Sequence, residues 1–384
     1  MTRRPPRRPS RLPTAHRARS TREHASRQPP ASPPLTRQCE VEVAPGLEEF
    51  ARAELMTRFG RHATVQESTK PGNLPFTYTG ELSELLTLRT AGSVYVVRRF
   101  PIPRPLALLG HQHLTALLGV IREVLDLHRS AAFQTFRISA AGEGSPVFDR
   151  LRNEIAAQTG LAASPEAGDL LLRVRRPSDG DGFEVSVRLS PRPLSARPWR
   201  VCDLPGALNA SVARVMVGLT RPSPDDVFLN VVCGSGTLMA ERLDSAPARE
   251  VIGADIDPEA LRCARANLEA AGYGGIARLE RWDAGQIPLP DASVTSLCGD
   301  LPFGHLVGSH RLNEELYPRV LAETARIAVS GARLVLLTSE ARLCERALAD
   351  HADRWSQERT IRFQMDNINL RAYVLVRKGN RQTS

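Results

Sequence analysis

From residue 206 onward, short β-branched runs alternate with amphipathic helical runs, and this alternation restricts the fold more than any other feature of the 384-residue chain. The patterning predicts strands at 227–232, 251–255, 276–281, 293–298 and 333–337. It predicts helices at 206–219, 237–243, 258–271, 314–329 and 341–349. Strands separated by helices pair in parallel, so the expected architecture is an α/β, doubly wound, mostly parallel sheet. Two closing strands near 358–365 and 372–377 have no room for a helix between them. They should form an antiparallel hairpin at the sheet edge.

Ligands of open α/β sheets bind outside the carboxyl ends of the strands, so the residues at those ends carry the functional information. The first strand runs through Asn230-Val231-Val232 into Cys233-Gly234-Ser235-Gly236-Thr237 and a helix. The two glycines permit a sharp turn, and the helix beyond them offers unpaired N–H groups. The pattern suits nucleotides, dinucleotides or S-adenosylmethionine; it lacks the Lys of a Walker A loop and the third glycine of a dinucleotide loop. The second strand ends in Asp255-Ile256, roughly 20 residues further on, where a carboxylate suits a ribose diol. Asp257 before Pro258 reads instead as a helix N-cap. The third strand ends at Asp283-Ala284 and the fourth at Asp300-Leu301-Pro302-Phe303-Gly304. Polar groups at successive strand ends favour one ligand site over separate capping accidents.

Before this region the chain reads as α+β. Strands are expected at 39–43, 74–78 and 93–100, with helices opening at 46–49 and covering 81–89 and 113–128. A second block has a strand at 133–140, a helix at 146–159 and strands at 169–175 and 182–189. Residues 190–205 are Pro-rich, and Arg188, Arg192, Arg197 and Arg200 surround Trp199 there without an acid between them. That is the best basic-aromatic patch for RNA outside the tail.

The formal net charge of +9 belongs to residues 1–37, which hold ten Arg and one acid; the rest balances 41 basic against 41 acidic residues. The tail's Pro, Ser and Arg content predicts disorder. No apolar run is long enough to span a membrane and no secretory h-region is seen, so a cytoplasmic location is expected. The six Cys lack metal-type spacing and read as reduced thiols. His111 and His113 read as loop histidines, and no metal is expected.

The motif Asp300-Leu301-Pro302-Phe303 is similar to the Asp/Asn-Pro-Pro-Tyr/Phe motif of amino-group methyltransferases. Together with Cys233-Gly234-Ser235-Gly236-Thr237, the strand-helix unit at 136–161 and the Arg-rich exit segment at 192–200, it resembles the THUMP-domain RNA methyltransferases, specifically their tRNA guanine-N2 branch. Beside the disordered basic tail at 1–37 and the linker at 191–205 that composition gives, the resemblance implies a ferredoxin-like domain at 38–100, a THUMP-like RNA-binding domain at 101–190 and a Rossmann-like class I methyltransferase domain at 206–384. It implies S-adenosyl-L-methionine as cofactor, held by Asn230, Cys233, Gly234, Ser235, Gly236, Thr237, Asp255, Ile256, Asp283 and Ala284. Asp255 would take the ribose and Asp283 the adenine amine. It implies tRNA as partner and, for the protein, a monomer.

In the expected reaction Asp300, with a main-chain carbonyl at Leu301 or Pro302, accepts the hydrogens of guanine N2, and Phe303 stacks on the extruded base. The alternatives are adenine N6, a protein glutamine, or a decayed non-catalytic RNA-binding fold. The last is suggested by Asn230-Val231-Val232, where the family usually has Asp-Pro-Phe. Because it restores an acidic group near a cationic ligand, Asn230→Asp is expected to tighten cofactor binding modestly.

Overall fold

The structure is a computed structural model that describes residues 35–68, 70–129, 132–177, 180–303 and 310–379. The expectations for residues 1–34 and for Gly304 lie outside the described residues.

The first half builds one eight-stranded sheet. Its strands are β1 (Arg37–Glu42), β2 (Ala63–Val65), β3 (Asn73–Tyr78), β4 (Ser93–Phe100), β5 (Thr135–Ala140), β6 (Ala162–Ala163), β7 (Leu170–Arg175) and β8 (Phe183–Arg188). The order is β2-β3-β1-β4-β8-β7-β5-β6. Helices α1 (Glu48–Phe59), α3 (His111–Leu125) and α4 (Pro146–Thr159) accompany it. The stretch expected to be helical at 81–89 keeps one short turn, α2 (Leu82–Leu85). His111 and His113 lie in the first turn of α3, not in a loop. The antiparallel pairing of β4 with β8, Tyr95 opposite Arg188 through Phe100 opposite Phe183, joins the two expected N-terminal blocks into a single sheet.

Along these strands every second side chain enters one apolar core, as period-two alternation requires. Val41, Phe76, Val96, Phe136, Leu172 and Val185 all lie there. The opposite face is laced with ion pairs. Arg173 grips Glu42 bidentately at 2.8 and 3.1 Å and lies over the Tyr95 ring, and Arg99 meets Glu184 at 3.0 Å.

The second half contains β9 (Val227–Asn230), β10 (Glu250–Ala254), β11 (Ala277–Glu280), β12 (Val294–Asp300), β13 (Ala328–Thr338), β14 (Trp355–Met365) and β15 (Ile368–Arg377). The order is β11-β10-β9-β12-β13-β15-β14. The strands from β11 through β13 pair in parallel, whereas β15 runs antiparallel to both β13 and β14. This is the expected α/β sheet with a hairpin at its edge. Asp366 and Asn367, both at positive φ, form the two-residue turn of that hairpin, a conformation these residue types tolerate. Helices α5 (Ala210–Leu219), α6 (Thr237–Ser245), α7 (Pro258–Ala270), α8 (His310–Ile327) and α9 (Ala341–Asp350) cover the faces.

The linker fastens the second half to the first. Arg197 is buried and pairs with the buried Glu241 of α6 at 2.8 Å, while its other nitrogens donate to the carbonyls of Leu194 and Arg89. Arg89 and Arg214 both bind Asp244, and the Ser211 hydroxyl donates to the Ala91 carbonyl. Arg197 is therefore a buried structural clamp and not part of a surface patch, which corrects the sequence reading. Arg188 is corrected likewise: it is buried and donates to the carbonyls of Ser190, Asp169 and Pro191. In a chain this rich in Arg, guanidinium groups serve as interior hydrogen-bond donors, so clustering in sequence does not imply a surface patch.

The reading of six reduced thiols also needs correction. Cys202 and Cys263 form a disulfide across 61 residues, and Cys39, Cys233, Cys298 and Cys344 are buried free thiols. Cys263 lies on α7, one turn before Asn267. The Asn267 amide accepts from the N–H groups of Val201 and Cys202 and donates to the Cys202 carbonyl. That fold-dependent approach is invisible in the spacing.

Removing one member of the buried Arg197–Glu241 pair leaves an uncompensated charge. Arg197→Ala should therefore cost about 3–5 kcal/mol in chemical denaturation. Arg192→Ala, on an exposed side chain of the same linker, should leave stability within about 0.5 kcal/mol of wild type.

Candidate functional site

Three parallel strands, β10, β9 and β12, end side by side and carry the site. Beyond β9 the chain turns through Gly234 and Gly236, with φ of +49° and +79°. The turn is closed by the Cys233 N–H on the Ala254 carbonyl and by the Gly236 N–H on the Cys233 carbonyl. A side chain at Gly234 would point into open space, so this loop presents bare backbone outward. Cys233, Ser235 and Thr237 are buried, and their side chains face the protein. Thr237 accepts from Arg200 at 2.9 Å, and the Ser235 carbonyl accepts from Asn267 at 3.0 Å. Of the expected loop contacts, only backbone is presented by these three positions.

Asp255 follows β10. Its carboxylate accepts from the N–H groups of Gly234 at 2.9 Å and Asp257 at 3.0 Å, which ties the loop to the neighbouring strand end. Asp257 caps α7 through the Glu259 N–H, as expected. Beside Asp255, Ile256 is 65% exposed, an apolar side chain presented to the surface at the same sheet edge. After β11, Asp283 accepts from the Gly285 N–H at 2.8 Å and from Arg319 of α8 at 2.7 Å. These two bonds hold its carboxyl below the usual carboxylate range. Ala284 is buried next to it.

Two polar side chains in the strand ends are left with an oxygen unanswered. Asn230 is fully buried; its amide nitrogen donates to the Val232 carbonyl at 3.1 Å, and its Oδ1 is buried without a partner. Asp300, the last residue of β12, has its Oδ1 buried without a partner as well. Burial pushes its carboxyl up to about 8. Buried polar atoms are nearly always paired, so these two orphans leave acceptors free at adjacent strand ends on one edge of the sheet.

The turn after Asp300 is rigidly held. The Leu301 N–H donates to the Leu337 carbonyl at 3.0 Å, and the Pro302 carbonyl accepts from Asn313 at 2.8 Å and from the Tyr317 hydroxyl at 2.9 Å. Phe303 is half-buried and rests against the apolar cluster that includes Cys233 and Leu238. Sequence reasoning missed Asn267, Asn313, Tyr317 and Arg319. The available signal was a polar residue on an apolar helical stripe: Asn313 is in phase with Tyr317, Val320, Leu321 and Thr324 of α8, all buried.

Of the expected RNA-binding residues, Arg192 alone is exposed. Trp199 is half-buried and packs into the core of the second half, and Arg200 lies 5.7 Å from its ring while donating to Leu208 and Thr237. Arg200 therefore braces the glycine loop.

Comparison with known proteins agrees with this geometry. Residues 197–369 match the UPF0020 family, described as an RMKL-like methyltransferase domain. A mouse tRNA (guanine(6)-N(2))-methyltransferase, THUMP3, is 28% identical over 185 residues, 45% of this chain and 37% of its own. A bovine U6 snRNA (guanine-N(2))-methyltransferase, THUMPD2, is 27% identical over 231 residues, 57% of this chain and 44% of its own. The chain thus spans less than half the length of these relatives. TrmN from Thermus thermophilus has the same fold with a TM-score of 0.69 at 24% identity, over 89% of this chain and 100% of its own. SMU.472, solved in complex with SAH, follows at 0.64 and 14% identity, over 88% of this chain and 97% of its own. Motifs, fold and likenesses converge: residues 197–369 match the UPF0020 methyltransferase-domain family, and the chain is similar to the THUMP-type RNA methyltransferases and has the fold of solved methyltransferases.

Proposed function

We propose that the chain is an S-adenosylmethionine-dependent RNA methyltransferase that forms N2-methylguanosine, with tRNA as the substrate class. The observation that carries this reading is the buried, unpartnered acceptor of Asp300 at the end of β12, on the same sheet edge as the glycine loop.

The residues present fit the cofactor. Its ammonium and sulfonium are cationic, its ribose is a diol and its adenine bears an amine. Against these donors the cleft sets the orphaned Oδ1 of Asn230, the Asp255 carboxylate and the Asp283 carboxylate. The exposed Ile256 and the bare backbone at Gly234 suit the adenine face and a close approach. S-adenosylmethionine supplies a methyl group already activated for transfer.

The chain's own task is the nucleophile. The lone pair of guanine N2 is delocalised into the ring, so the amine must be turned and aligned. Asp300 and a main-chain carbonyl accept its hydrogens. The Pro302 carbonyl is already taken by Asn313 and Tyr317, so the second acceptor is Leu301, whose carbonyl receives no donor from any described residue. Guanine presents N1–H and N2–H side by side, which a carboxylate can accept together; adenine has a lone pair at N1. A carboxyl near 8 also makes a competent acceptor for the proton the amine gives up. Phe303 offers a half-buried face for stacking. Loss of catalysis through fold decay is disfavoured, because Asp255, Asp283 and Asp300 all stand at strand ends.

Incubation of unmodified tRNA with labelled S-adenosylmethionine, followed by nucleoside analysis, should give N2-methylguanosine. Asp300→Ala should lower turnover by about 10² or more and leave the dissociation constant of the neutral product S-adenosylhomocysteine nearly unchanged. Normal turnover in that variant, or a product other than N2-methylguanosine, would remove the proposal.

The hydrogen bond at Asn230 supports the opposite of the sequence-based expectation for Asn230→Asp. Asn230→Asp replaces the donor that binds the Val232 carbonyl with a buried anion facing it. The variant should lose stability and bind cofactor more weakly. Tighter binding by calorimetry would show that the pocket accommodates a carboxylate after all.

A further inference from the structure

Asn313 and Tyr317 lie one turn apart on α8, both buried, and both donate to the same oxygen, the Pro302 carbonyl. The Tyr317 hydroxyl also lies 2.7 Å from the Thr338 hydroxyl at the end of β13, and Thr338 accepts from the Glu340 N–H at 2.9 Å. The direction of this chain follows from its ends. A carbonyl has no hydrogen to give, so Tyr317 spends its single proton on Pro302. Thr338, already an acceptor from Glu340, must then donate to Tyr317. The chain therefore runs from Glu340 through Thr338 and Tyr317 to Pro302, with Asn313 as a second donor at the same oxygen.

Resting on the functional reading above, we propose that Asn313 and Tyr317 are positioning residues for the amine-recognising turn. By occupying both lone pairs of the Pro302 carbonyl they fix the peptide that follows Pro302 and so anchor the far side of the turn, which leaves the Leu301 carbonyl and the Asp300 carboxyl as the acceptors that face the substrate amine. Neither touches the reacting atoms; each acts through the turn. The remaining freedom of the turn is small, because Pro302 has a fixed φ and the Leu301 N–H is bound to Leu337. Thr338 sets the hydroxyl orientation of Tyr317 from behind.

The test uses Tyr317→Phe, Thr338→Val and Thr338→Ser in the full-length chain, assayed well below their unfolding temperatures. Tyr317→Phe keeps the packing and removes one donor. It should lower kcat about tenfold or more while the cofactor dissociation constant and RNA affinity stay within about twofold. Thr338→Val should give a smaller loss and Thr338→Ser should restore wild-type kcat. A second readout needs no substrate: in carbon-13 NMR of the protein alone, the Asp300 carboxyl should titrate at lower pH in Tyr317→Phe, because a loosened turn admits water. Unchanged kcat in Tyr317→Phe, a kcat loss that Thr338→Ser fails to restore, or an unchanged Asp300 titration would each overturn the assignment. If the wild type transfers no methyl group to guanine in tRNA, the functional reading fails, and the Asp300 titration then decides the positioning role alone.

Discussion

A carboxyl group buried with one oxygen unpaired is unfavourable wherever it occurs, and the second half of this chain is arranged to keep one at the end of β12. Asp300 cannot withdraw. Its strand is central in the sheet, with β9 on one side and β13 on the other. The turn beyond it is bound at Leu301 by Leu337 and at Pro302 by Asn313 and Tyr317. The destabilisation is local and the compensation is spread over β13 and α8, the pattern expected where strain serves a site. Raised to about 8 by burial, the Asp300 carboxyl answers to any donor or cation placed against it near neutral pH.

The same sheet edge is coupled to the segment that enters it. Asn267 of α7 makes four hydrogen bonds, to Val201, to Cys202 twice and to the Ser235 carbonyl in the glycine loop. Arg200 reaches from the linker to Thr237 in the same loop. The Cys202–Cys263 disulfide fastens that contact one helical turn away. The linker is thus built against the glycine loop at the proposed ligand edge of the sheet. Arg200 braces this loop, Arg197 and Arg188 are buried on partners elsewhere, and Arg192 is the exposed basic side chain of the expected patch.

Much of the second half was legible because its signals are local. Strand and helix periodicity, the two glycines after β9, and an acid at each of three strand ends depend on neighbouring residues alone. The helix at 146–159 and the closing hairpin follow from the same kind of signal. What escaped was long-range. The Arg188 and Arg197 side chains turn inward because of partners 19 or more residues away, Asp169 and Glu241. Cys202 meets Cys263 only after α7 packs beneath the linker. The pairing of β4 with β8 makes one sheet of two sequence blocks. Asn313 and Tyr317 carry ordinary residue types on an ordinary helical stripe, and only the position of the Pro302 carbonyl gives them a role.

The account turns on Asp300 being a buried, largely protonated acid that becomes an acceptor when its ligands arrive, and proton stoichiometry reads this directly. Calorimetric titration at pH 7 in two buffers of different ionisation enthalpy measures protons released on binding. S-adenosylmethionine, whose sulfonium is cationic, should release a substantial fraction of a proton. S-adenosylhomocysteine, a neutral thioether, should release less, and Asp300→Asn should abolish the difference. Equal proton exchange for the two ligands in the wild-type protein, or a difference that survives in Asp300→Asn, would contradict it.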